Sequence, residues 1–226
     1  MMDVAVLFSG GKDSTYAVFE ALEQGHRVRC LLVMESENPD SYMFHRPNIE
    51  LTGLQAESMG IKIVFGKTKG EKEKELGDLE GLINRVKGEV NYIGAGALAS
   101  QYQYERVGNI CRKLGLKVFA PAWKANPKEY WKHLLELGFR IIITKVSCEG
   151  LGKEWLGKEI DKNSLESLVK LSEKYRFHLG FEGGEAETFV LDCPVFKKRI
   201  EIISGRNEWY GDSGIYLIEK AKMVDK

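Results

Sequence analysis

Ser9-Gly10-Gly11-Lys12-Asp13-Ser14 is the stretch whose reading decides the fold. It follows an apolar run, Val4 to Phe8, and precedes an amphipathic segment, Asp13 to Gln24, that stops at Gly25. Strand, glycine-containing turn, then helix is the local order in which backbone N–H groups converge on an anion. Gly10 and Gly11 accept backbone angles that other residues avoid, and they let the main chain approach a ligand closely. The helix that follows points its positive end at the same space. Ser9 and Ser14 can donate hydroxyl hydrogen bonds, and Lys12 adds a full charge. Asp13 is expected either to cap the helix or to help hold Mg²⁺.

Outward from this loop, short apolar runs alternate with helical patterns. Strands are expected at Asp3 to Phe8, Arg27 to Met34, Ile61 to Phe65, Asn91 to Gly94 and Lys117 to Ala120. Helices are expected between them, at Pro47 to Met59, Glu71 to Lys87 and Ala99 to Leu114, with Leu76, Leu79 and Ile83 on one face of the second. Such alternation predicts a doubly wound parallel sheet of about five strands. Ligands bind such sheets at the carboxyl ends of the strands, so the loops after the first, second and fourth strands are the places for chemistry.

The pattern changes after Pro121. Helices are expected at Pro127 to Leu137 and Ser164 to Tyr175, the latter capped by Asn163 or Ser164. Strands are expected at Phe139 to Val146, Glu187 to Leu191, Arg199 to Ser204 and Gly214 to Ile218. The chain therefore divides into an α/β domain, 1–121, and a smaller α+β subdomain, 122–226.

Composition narrows the function classes. Lys and Arg number 33, Asp and Glu also 33, so no overall field draws nucleic acid. The one dense basic run, Lys197-Lys198-Arg199, reads as a solvated strand edge. Cys30, Cys111, Cys148 and Cys193 are scattered, with no CxxC pair and no zinc spacing. No stretch approaches the roughly 18 apolar residues of a membrane span. A cytoplasmic protein with reduced thiols and no membrane or nucleic-acid partner is expected.

The loop is not a Walker A sequence, which would need Gly at position 6 and Ser or Thr at 13, where Val6 and Asp13 stand. It resembles the PP-loop of the N-type ATP pyrophosphatases. Four further stretches resemble one branch of that superfamily, the diphthine–ammonia ligases. They are Ser41-Tyr42-Met43-Phe44-His45-Arg46-Pro47-Asn48; Gly94 to Gln103, running on to Arg106; Lys145-Val146-Ser147, with Trp155-Leu156-Gly157-Lys158; and Glu182-Gly183-Gly184-Glu185-Ala186-Glu187-Thr188. Together they span most of the chain. The acidic segment is the most specific, because the PP-loop alone defines only the superfamily.

The resemblance implies an adenine-nucleotide alpha hydrolase-like, Rossmann-like fold. It implies that ATP, with Mg²⁺, adenylates the carboxylate of diphthine on elongation factor 2, and that ammonia then displaces AMP to leave the amide. Ser9, Gly10, Gly11, Lys12, Asp13, Ser14, His45, Gly94 and Ser100 are the expected nucleotide contacts, with Asp13 as the metal ligand. Asn48, Gln103, Arg106 and Thr188 are assigned to the substrate. Lys12, Asp13, Glu182, Glu185 and Glu187 are assigned to catalysis. Bland alternatives stand beside these. Asn48 can cap a helix, Gly94 and Gly96 can merely turn the chain instead of clearing space for nucleotide, Arg106 can pair with a structural carboxylate, and the three glutamates can form a solvated turn. Trp123, Tyr130 and Trp131 read as core or interface.

Two departures from the family pattern concern the substrate side: Lys124-Ala125-Asn126-Pro127, and Ala186 in place of a larger residue. The resemblance is to the minimal archaeal form, which is expected to do without the carboxy-terminal extension of some eukaryotic relatives. A homodimer is the expected assembly. The rival readings are a tRNA-thiolating PP-loop enzyme, which would need a persulfide-carrying cysteine and a basic surface, a non-catalytic ATP-binding module, and a glutamine-fed amidotransferase.

Overall fold

The computed structural model describes residues 1–37, 48–71, 74–96 and 101–226; the side chains of residues 102 and 103 are not among the described parts. The chain forms two compact units, Met1–Trp123 and Lys124–Lys226.

In the first unit, β1 (Asp3–Leu7), β2 (Arg27–Ser36), β3 (Ile63–Thr68), β4 (Tyr92–Gly94) and β5 (Lys117–Phe119) make one sheet in the order β3-β2-β1-β4-β5. All its pairings are parallel. The strands are nearly continuous apolar runs because both faces are covered. Alternate residues Ala5, Cys30, Leu32, Met34, Val64 and Ile93 pack against α3 (Lys74–Asn84) and α4 (Gln101–Lys113), through Leu79, Leu82, Ile83, Val107, Ile110 and Cys111. α1 (Lys12–Glu23) packs against β1, β2 and β4.

The expected helix at 47–59 is, within the described residues, a 3-10 turn, Ile49–Leu51, followed by α2 (Thr52–Met59). Gly60, left-handed at φ +70°, ends it as expected of a C′ glycine. Chain order reverses beside β1, with β2 on one side and β4 on the other. This is the switch point at which doubly wound sheets open a crevice.

The second unit carries a sheet in the order β7-β6-β9-β8, with antiparallel pairings. Its strands are β6 (Arg140–Val146), β7 (Ala186–Asp192), β8 (Arg199–Trp209) and β9 (Gly214–Val224). The last two outrun the expected limits at Ser204 and Ile218. Beyond those limits neither strand has a fully buried residue, so the buried apolar alternation that marks a core strand is missing there. α5 (Pro127–Glu136) starts at Asn126, whose side chain accepts the Lys128 and Glu129 N–H groups. It buries Tyr130, Trp131 and Leu134. The Trp131 indole donates to the Leu179 carbonyl at 2.9 Å, so Trp131 belongs to the core.

The expected cap of the last helix needs correction. α6 (Lys162–Tyr175) is capped by Asp161, not Asn163 or Ser164. The Asp161 carboxylate accepts the Ser164 N–H at 2.7 Å, and the Asp161 N–H donates to the Ser164 hydroxyl at 2.7 Å. Asp-x-x-Ser here makes a reciprocal capping box that begins ahead of both expected caps.

Candidate functional site

The loop after β1 is built as a cradle. Gly10 is left-handed at φ +79°, and Gly11 is the extended N-cap residue of α1. The first intrahelical bond runs from the Thr15 N–H to the Gly11 carbonyl at 3.1 Å. The N–H groups of Gly11, Lys12, Asp13 and Ser14 therefore lie in the part of a helix that has no intrahelical acceptor. The Ser14 hydroxyl sits 3.3 Å from that of Ser9 and donates to the Gly11 carbonyl at 3.1 Å. Both serines thus brace the turn.

Lys12 and Asp13 lie at the first two helical positions. Asp13 is inside the helix, so it does not cap it; the cap residue is Gly11, with no side-chain bond. One Asp13 oxygen lies 2.8 Å from the Lys12 ammonium. The other, Oδ1, is buried with no hydrogen-bond partner. A hard, unpaired carboxylate oxygen at a helix mouth suits a Mg²⁺ ion, which takes one or two carboxylates and completes its shell with phosphate and water. Among the described residues no group of three or more His, Cys, Asp or Glu side chains could hold a metal alone.

Neighbouring elements pin the loop from two sides. Gln55, wholly buried on α2, donates to the Gly10 carbonyl at 2.9 Å. A Cβ on Gly96 would lie 2.6 Å from the Ser14 nitrogen, so the end of β4 rests directly on the first turn of α1. Gly94 has a different reason. A Cβ there would meet Val6 Cγ2 at 2.8 Å, which makes Gly94 a packing glycine against β1. Gly96 is the glycine that clears the loop. A cleft of about 250 Å³ opens beside the ends of β2 and β3, lined by Glu35, Ser36, Glu37, Ile49, Glu50 and Lys67.

Of the other expected contacts in this unit, Asn48 is buried and left-handed at φ +62°, and its side chain makes no cap bond. Arg106 is half-buried on α4. His45, Ser100 and the Gln103 side chain lie outside the described residues.

In the second unit the three expected glutamates have separate surroundings. The Glu185 carboxylate accepts the His178 N–H at 3.0 Å and the Gly183 N–H at 2.8 Å, so it ties the turn shut. Glu187, on β7, faces Lys145 on β6, with Oε1 3.1 Å from the ammonium. Glu182 is half-buried in the turn between them and α6, and Thr188 is half-buried on β7. A larger cleft, about 580 Å³, is lined by residues 147–152 and Asp212. Cys148 in its wall has its thiol pushed up to about 11, by burial first and by the nearby Glu185 charge second.

The sequence alone does not mark Gln55 as a site residue. Gln55 carries only a weak local cue, a polar residue three positions after Thr52 on a short helix. Its partner is 45 positions away.

A glycine-bearing turn at the switch point of a parallel sheet defines the class: a doubly wound α/β protein whose first helix opens on N–H groups without intrahelical acceptors. Comparison with known families then identifies the branch. The diphthamide synthase N-terminal domain matches residues 2–118, and the diphthamide synthase C-terminal domain matches residues 126–224. The chain belongs to the diphthamide synthase family. Curated relatives named diphthine–ammonia ligase include those of Bos taurus and Homo sapiens, each 35% identical over 90% of this chain and 84% of its own length. The Saccharomyces cerevisiae relative of the same name is 29% identical over 87% of this chain and 34% of its own.

Proposed function

We propose that this chain is an ATP-dependent diphthine–ammonia ligase. Both family domains in their order, joined to a helix-mouth anion cradle at Gly10 to Ser14, carry the reading. The first unit takes the nucleotide, and the second takes the acceptor. Gly11, Lys12, Asp13 and Ser14 N–H groups hold the β- and γ-phosphates, and the Lys12 ammonium offsets their charge. Asp13 Oδ1 is the protein's ligand to Mg²⁺, which neutralises the departing pyrophosphate when bound.

The acceptor is the free carboxylate of diphthine on elongation factor 2. One carboxylate oxygen bonds to the α-phosphorus, and the bond from that phosphorus to the bridging oxygen breaks, releasing pyrophosphate. Ammonia then bonds to the acyl carbon, and AMP leaves with the electron pair. The surplus proton on nitrogen goes to a carboxylate of the acidic segment, Glu182, Glu185 or Glu187. The mixed anhydride already contains its leaving group, so orientation and charge neutralisation suffice and no protein nucleophile is required.

The test uses purified protein, ATP, Mg²⁺, ammonium and diphthine-bearing elongation factor 2. The expected result is AMP and pyrophosphate released in step with conversion of the carboxylate to amide. ADP as product, or AMP release that depends on tRNA instead, would overturn the assignment.

A further inference from the structure

Behind the phosphate cradle stands a side chain with no part in the reaction proposed above. Gln55 Nε2 donates to the Gly10 carbonyl at 2.9 Å inside a fully buried contact. A Cβ on Gly10 would fall 2.4 Å from Gln55 Oε1 and 3.2 Å from Thr52 Cγ2. One face of α2 therefore presses on Gly10, and only glycine leaves room for it.

A trans peptide points its C=O and its N–H in opposite directions, and no cis peptide occurs among the described residues. Drawing the Gly10 carbonyl toward Gln55 turns the Gly11 N–H away from α2. Gly11 is the N-cap of α1, so that N–H joins those of Lys12, Asp13 and Ser14 at the positive end of the helix. Glycine on both sides of this peptide makes it easy to rotate. Rotated, it would present a carbonyl oxygen to the anion in place of a donor, and the two would repel.

We propose that Gln55 is a positioning residue for the triphosphate. It locks the Gly10–Gly11 peptide in its donating orientation, and so sets affinity for ligands that carry a pyrophosphate group and not for the rest of the nucleotide. This rests on the nucleotide-binding reading above.

The test is calorimetric titration of the wild type, Gln55→Met and Gln55→Glu with ATP, inorganic pyrophosphate and AMP. Met keeps the length and removes the donor, while Glu keeps the shape and sets an acceptor against the carbonyl. Gln55→Met is expected to weaken ATP and pyrophosphate binding about tenfold, and Gln55→Glu more. AMP affinity should stay within about twofold in both, which also reports that the domain is folded. Equal weakening of AMP would mean a merely structural residue, and unchanged pyrophosphate affinity would mean that the peptide needs no lock; either overturns the inference. If the wild type binds neither ATP nor pyrophosphate, the nucleotide reading itself falls, and the inference with it.

Discussion

The Lys12 ammonium lies 2.8 Å from the Asp13 carboxylate, with Lys12 only 2% exposed and Asp13 26%. Both sit in the first turn of α1, where the helix presents its positive end. A cation there opposes the helix dipole and favours a bound anion, while its ion pair with Asp13 holds it in place. Lys12→Met should weaken ATP binding by at least about tenfold, beyond any change in melting temperature from the lost Asp13 pair. Calorimetry beside a thermal melt checks both halves. Lower stability with unchanged ATP affinity would assign Lys12 to the fold instead.

The glycines divide into those that clear the cradle and those that do not. Gly10→Ala combines a left-handed backbone with a contact at 2.4 Å, and Gly96→Ala drives a methyl to 2.6 Å from the Ser14 nitrogen. Each should cost about 1–3 kcal/mol, with loss of ATP binding. Gly81, on the exposed side of α3, has open space where a methyl group would stand, so Gly81→Ala should gain about 0.5–1 kcal/mol. Urea denaturation of the three variants reads the contrast. A stabilised Gly10→Ala would show that the turn has been misread.

Glu185 and Glu182 should separate structure from chemistry. Glu185→Gln gives up one of two acceptors for backbone N–H groups and should destabilise the second unit by about 1–2 kcal/mol. Glu182→Gln should lower the rate of amide formation, with recovery at higher pH, where more ammonia is already unprotonated. A Glu182→Gln enzyme of full activity would remove Glu182 as the base.

The facing pair Lys145 and Glu187 is partly buried, and a double-mutant cycle with Lys145→Met and Glu187→Gln should return a coupling of about 1 kcal/mol. Additive effects would mean that the ladder pairing alone sets their distance.

The thiols make stability fall in alkali. Burial pushes Cys30 and Cys111 up to about 11 and Cys193 up to about 12, from an ordinary 9.0. The folded chain thus keeps protons that the unfolded chain releases. Their contribution is complete below pH 9 and is lost as pH rises toward 11 to 12. Urea melts from about pH 8 upward should lose stability more steeply in the wild type than in Cys193→Ala. Parallel slopes would overturn this account.

What can be read along the chain is what the chain builds from near neighbours. The order β1, cradle, α1 is continuous, and so are the buried runs of the parallel sheet. The outer parts of β8 and β9 escape such a reading because they hold no fully buried residue and so lack the buried apolar alternation that marks a core strand. The Asp161 cap escapes it because two later residues offer the same local cue.

By itself, the order of residues determined that a glycine-bearing turn opens the first helix and that an acidic turn follows the last, since each is made within one short segment. Only the tertiary structure decided what those turns are made to do. It brought Gln55 behind Gly10 from 45 positions away, put Gly96 under Ser14, and gave Glu185 to backbone N–H groups and Glu187 to Lys145. A contact between distant segments depends on how helices and strands pack, and packing leaves no mark on either segment alone.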